Sequence, residues 1–171
     1  YIIKIKSKIN LNKNSNSKYF NSIDLVKFNN IPWKIGFVCN KKYENGLPHT
    51  RNNIIILNKN SIHLNSDKKN MKTLIHEQIH IYQKLYKKDV KNYLDSKKFK
   101  KLKKIREYDN IRANPDLDNY IYQDQYHNTY KALYNDNPSS IEDITYYPHN
   151  SQYYEHPYER MAIEFESIID N

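Results

Sequence analysis

The patterning of this chain predicts an α+β fold. It calls for a small twisted N-terminal sheet, one long helix, and a mostly helical C-terminal lobe, all within a single domain over residues 1–171. Three observations predict it. The first third carries short β-branched runs, the clearest being Ile54-Ile55-Ile56-Leu57. From residue 67 the apolar positions change to helical spacing, and Met71, Leu74, Ile75, Ile79, Ile81, Tyr82, Leu85 and Tyr86 fall on one arc. Beyond residue 90 the chain reads as Lys-rich and Tyr-rich amphipathic segments broken by Pro115, Pro138, Pro148 and Pro157.

In order, residues 1–12 alternate Ile/Leu with Lys/Asn and suggest a strand, and residues 12–17 form a polar linker. A short helix is expected over 22–28 and a strand over 31–39. Asn45-Gly46 and Pro48 mark residues 40–51 as a loop or hairpin turn. Residues 53–57 and 61–65 read as a strand or hairpin just before the long helix. Ser66 or Asp67 can cap that helix, which runs to about residue 86. Together these make an α/β lobe over 1–88. The helical lobe, 89–171, is expected to hold a Lys-rich helix or helix pair over 90–112, a turn at Asn114-Pro115-Asp116 and a helix over 120–134. An irregular stretch over 135–154 follows, then a last helix opened by Pro157 and running to about residue 170.

Composition narrows the function classes. The apolar fraction of 38% is low, but 17 Tyr offer large rings with polar tips, so a sizeable core is within reach. Lys+Arg 28 against Asp+Glu 19 gives +9, which fits a nucleic-acid or acidic partner or simply a Lys/Asn/Ile/Tyr-biased composition. Most of the positive charge is Lys rather than the Arg suited to bidentate phosphate contacts. The single Cys39 excludes an internal disulfide and fits a reducing compartment such as the cytoplasm. No apolar run is long enough to span a membrane, and no secretory leader is read, although the chain opens on Tyr1 rather than Met.

The chemistry sits in His76-Glu77-Gln78-Ile79-His80, an H-E-x-x-H. At about 100° per residue, the two histidines lie about 40° apart and Glu77 about 100° from His76. Both histidines fall opposite the apolar arc, beside Thr73 and Gln83, so the helix is expected to turn them toward a polar cleft. Such a pair binds Zn²⁺, with the Glu as general base toward water. A catalytic zinc needs a third protein ligand. Positions 83 and 86 are Gln and Tyr, so no histidine completes the set within the helix as a metzincin's would. Glu159 is the candidate: it lies near the start of the last helix, away from Tyr158, Met161, Ala162, Phe165, Ile168 and Ile169. Its alternative role is as a helix N-terminal charge. Glu107, His127, Glu155 and His156 are rivals, and Glu166 is a candidate acceptor for a ligand histidine's N–H.

His76-Glu77-x-x-His80 with a helical Glu159-x-x-Ala162 resembles the gluzincin branch of zinc metallopeptidases. The resemblance implies a zincin-like fold, with an active-site helix under a cleft and a helical lower lobe giving the third ligand. Pro48-His49-Thr50-Arg51 and Glu155-His156-Pro157-Tyr158-Glu159 are also similar to uncharacterised metallopeptidase-like proteins of giant DNA viruses, which implies host cytoplasm or a virion. Gluzincins often carry an acidic residue four positions after the ligand Glu; here that position is Ile163, and the gap from His80 to Glu159 is long for the group.

The resulting expectation is peptide-bond hydrolysis. His149, Tyr153, Tyr154, His156 and Tyr158 are candidates for a second donor to the oxyanion. The strand at 53–57 could present its edge to an extended peptide or protein substrate. Two other readings stand beside it. One is a catalytically silent zincin serving as a structural or virion component. The other is a nucleic-acid-associated protease or binder using Lys97, Lys98, Lys100, Lys101, Lys103 and Lys104.

Overall fold

The computed structural model describes residues 23–39, 44–59, 66–106, 109–112 and 118–167. The expected strand at 1–12, the linker at 12–17, the apolar run at 61–65, Glu107 and the turn at Asn114-Pro115-Asp116 lie outside these residues. The structure is mixed α and β, with four helices and two sheets among the described residues. It divides into two compact units, residues 1–89 with 162–171 and residues 90–161.

In the first unit, α1 (Leu25–Asn30) starts at Asp24, whose side chain accepts from the Val26 and Lys27 amides. Three strands follow, β1 (Ile35–Val38), β2 (His49–Arg51) and β3 (Ile54–Asn58). β2 and β3 pair as a hairpin through Asn52-Asn53, with Asn52 at φ 56, a left-handed conformation that Asn tolerates well. β1 joins β3 in parallel, which puts β3 in the centre and leaves β2 at an edge. Gly36 permits the close approach of β1 and β3, since a Cβ there would stand 3.1 Å from Ile56 Cδ1.

The long helix, α2 (Asp67–Leu85), begins at Ser66, whose hydroxyl accepts from the Lys69 amide, and it lies against β2 and β3. Met71, Leu74, Ile75, Ile79, Ile81 and Tyr82 are buried. Phe28 closes this core: it is fully buried, with Trp33, Tyr82 and Phe165 rings around it at 5.1–6.4 Å. Emptying such a site costs about 3–5 kcal/mol. Between residues 77 and 83 the helix is buried all round, and Glu77, Gln78, His80 and Gln83 are as enclosed as the apolar arc. The polar face is thus interior over those residues, so each of those groups needs a partner.

The second unit overturns the expected helical lobe. After α3 (Lys87–Ser96), the chain forms β4 (Lys100–Lys104), β5 (Tyr120–Gln123), β6 (Thr129–Tyr134) and β7 (Ile144–Tyr147), an antiparallel sheet in that order. The helix expected over 90–112 stops at Ser96, and the one expected over 120–134 is a hairpin. Cross-strand contacts decide both. Lys101 lies over the Tyr120 and Tyr122 rings, and Phe99, Tyr122 and Tyr130 form a core with Leu94, Tyr120 and Tyr154 against it.

The last helix, α4 (Pro157–Glu166), opens at Pro157 as its sequence predicts. It crosses from the second unit to the first between Met161 and Ala162.

Candidate metal centre

His76 and His80 lie one turn apart on α2, with ring centroids 4.8 Å apart and edge to face. Each has its Nδ1 engaged. His76 Nδ1 meets Glu166 Oε2 at 3.0 Å, and His80 Nδ1 meets Gln83 Oε1 at 3.0 Å. Both partners are acceptors, so each Nδ1 carries a proton, and in the neutral ring the lone pair is then on Nε2. That arrangement is the one found around metal-ligating histidines.

Glu166 also ties α4 to α2, since it stands in the part of the helix that belongs to the first unit. Glu159 lies two turns earlier on the same helix, almost fully buried at 1% exposure, and Gln152 Nε2 donates to its Oε2 at 3.3 Å. His76, His80 and Glu159 each offer one ligand atom, and these atoms all lie within 4.8 Å of one another.

The set fits zinc. Two imidazole nitrogens and a carboxylate oxygen are donors zinc accepts. Ligand atoms of a tetrahedral zinc site stand about 3.3 Å apart, given bonds of about 2.0–2.2 Å. Glu77 is buried beside His76 on α2, one position on in the chain.

The chain matches no known protein family, curated protein or solved structure.

The described rivals have other roles. Glu155 is buried with Arg112 Nε 3.7 Å from its Oε1. His156 is buried against Asp118. His127, expected on a helix, is exposed in the β5–β6 turn at φ 65. None of these joins the three-residue group. The oxyanion candidates are held by neighbours within the second unit. His149 lies against Tyr154, Tyr154 against Tyr130, and Tyr153 under the Arg160 guanidinium at 4.6 Å. Burial and the nearby Asp118 charge push the Tyr158 phenol up to about 12.

Two residues were not given roles from sequence. Gln83 is the partner of His80, readable as an i+3 neighbour once a histidine is assigned to metal. Tyr146 on β7 has no sequence signal. Burial raises its pKa first, then the charges of Glu155 and Glu159 do so against the pull of Arg112. It is thus a protonated phenol within the electrostatic reach of Glu159.

The Lys-rich segment is β4, an edge strand exposed along its whole length. Lys101 is paired with Asp118 at 2.8 Å and Lys103 with Asp109 at 3.2 Å. Lysines on an edge also block pairing with another sheet. No described helix is long and apolar enough to cross a membrane.

Proposed function

We propose that the chain is a zinc-dependent peptidase of the gluzincin kind, with His76, His80 and Glu159 holding the metal and Glu77 as general base. The reading rests on the convergence of those three side chains, with both histidines already fixed at Nδ1. When bound, zinc lowers the pKa of a water towards ~7 and polarises a substrate carbonyl.

The chain's residues supply the rest. Glu166 and Gln83 set the tautomer and orientation of the two imidazoles. Glu77 takes the proton of the attacking water and delivers it to the leaving amine. Substrate would add to β2 as an extended strand: among the described strands β2 is one of the two edges of its sheet and lies against α2, whereas β3 is central.

The test is cleavage of a peptide library by zinc-loaded wild type and Glu77→Gln. Cleavage by the wild type, lost in the variant while zinc is retained, is the expected result. A wild type that holds zinc and cleaves nothing would move the reading to a silent zincin. In that case chelation should lower the melting temperature with no activity to lose.

A further inference from the structure

We infer that Asp118 and His156 are positioning residues for Glu159, a role that rests on the zinc reading above. Pro157 is the first residue of α4, so His156 occupies the N-cap. Its carbonyl accepts the first helical bond, from the Arg160 amide at 3.0 Å. Its side chain caps as well, because Nδ1 accepts from the Tyr158 amide at 3.2 Å. An imidazole nitrogen accepts only when the ring proton is on the other nitrogen. That other nitrogen, Nε2, faces Asp118 Oδ1 at 3.1 Å. The carboxylate therefore selects the tautomer that caps.

Asp118 is itself pinned. Its Oδ2 accepts from the Tyr122 hydroxyl at 2.6 Å and is paired with Lys101 Nζ at 2.8 Å. Burial works to raise its pKa, but the bonds from His156, Lys101 and Tyr122 outweigh it and hold the group ionised. The His156 ring is buried, edge-on to Tyr122 at 5.0 Å and to Tyr158 at 4.8 Å.

The consequence falls on Glu159. It is the third residue of α4, inside the turn whose amides have no intrahelical partner. A first turn without its cap frays. Glu166 holds the helix further along, on His76, so fraying would displace Glu159 while the rest of α4 stays in place. A Ser or Asn would cap the amide equally well. A histidine caps only in the tautomer that Asp118 selects, so the cap depends on that carboxylate where an Asn cap would not.

The test is metal titration of wild type, His156→Ala, His156→Asn and Asp118→Ala. Zinc affinity is read by competition with a chromophoric chelator, and the coordination shell by the visible spectrum of the cobalt-loaded protein. His156→Ala should weaken zinc binding by about 10–100-fold, the usual effect of removing an outer-shell partner, and shift the cobalt spectrum away from four-coordinate. His156→Asn, which can still accept an amide, should restore both. Asp118→Ala should fall with His156→Ala, and it decides the matter where His156→Ala does not fold. Wild-type affinity and spectrum in the alanine variants would overturn the inference, as would a loss that Asn does not restore. Those results leave the zinc reading standing, whereas a wild type that takes up no zinc overturns both.

Discussion

Glu166 accepts a hydrogen bond from His76 Nδ1 at 3.0 Å across 90 positions of sequence. In the zinc reading that bond leaves Nε2 as the His76 nitrogen that would face the metal, and it ties α4 to α2. Glu166→Ala should therefore weaken zinc binding by about 10–100-fold. Glu166→Gln keeps an acceptor oxygen but loses the charge, so its loss should be smaller. Chelator competition measures both. Equal affinity in wild type and Glu166→Ala would show that the bond does not tune the ligand.

Glu77→Gln should leave zinc affinity close to wild type and lower kcat by about 10²–10⁴-fold, the range for a general acid–base group. The two side chains are nearly isosteric, so the buried position beside His76 is refilled without a cavity. Steady-state kinetics on a cleaved peptide check the rate, and metal analysis checks the occupancy. A rate loss that tracks zinc loss would make Glu77 a structural residue.

The sequence made the first unit legible and misread much of the second, for physical reasons. α2 carries its own instructions: a Ser66 cap, an apolar arc and an H-E-x-x-H in phase with it. Pro157 announces α4 in the same way. β4 does not. Lys and Leu are good helix formers, and nothing local opposes a helix over 100–104. What makes it a strand is β5, through the Lys101–Tyr120 stacking and the Asp118 ion pair. The hairpin over 120–134 did leave a trace. Tyr120-Ile121-Tyr122 and Thr129-Tyr130 are strand formers, and Asp124 builds the turn by accepting from the Tyr126 and Asn128 amides. Within the site, His76, Glu77 and His80 follow from spacing, and Glu159 is drawn from the composition of its helix. Asp118 is placed by contacts with Lys101 and His156, distant in sequence, which periodicity does not encode.

The same ion pairs bound the nucleic-acid reading. With Lys101 and Lys103 paired to carboxylates and the half-buried Lys97 held over the Tyr93 ring, the segment offers the exposed Lys98, Lys100 and Lys104 to phosphates. Three phosphate contacts give a slope of about −2.7 in log K against log salt. Duplex DNA binding should therefore be no steeper than that, and should vanish near physiological salt. A steeper slope, lost on replacing Lys100 and Lys104 with Ser, would show a dedicated nucleic-acid surface.

Asp89 gives the first unit a pH dependence. Burial works to raise its pKa, but bonds from Lys27 at 2.8 Å and from the Tyr82 hydroxyl outweigh that and lower it. A carboxyl depressed in the native state adds stability above its unfolded pKa of about 3.9, and that stability is lost as pH falls through the native value. Lys27 is the mirror case. Its pKa is raised, first by the bond to Asp89, so its contribution is present below the unfolded value of about 10.4 and is lost as pH rises through the native one. Asp89→Asn should therefore melt at a lower temperature than wild type between about pH 4 and pH 10. The gap should close at both ends of that window. Thermal melts across the range decide it: a gap that persists unchanged at pH 2 would mean that Asp89 acts through packing rather than charge.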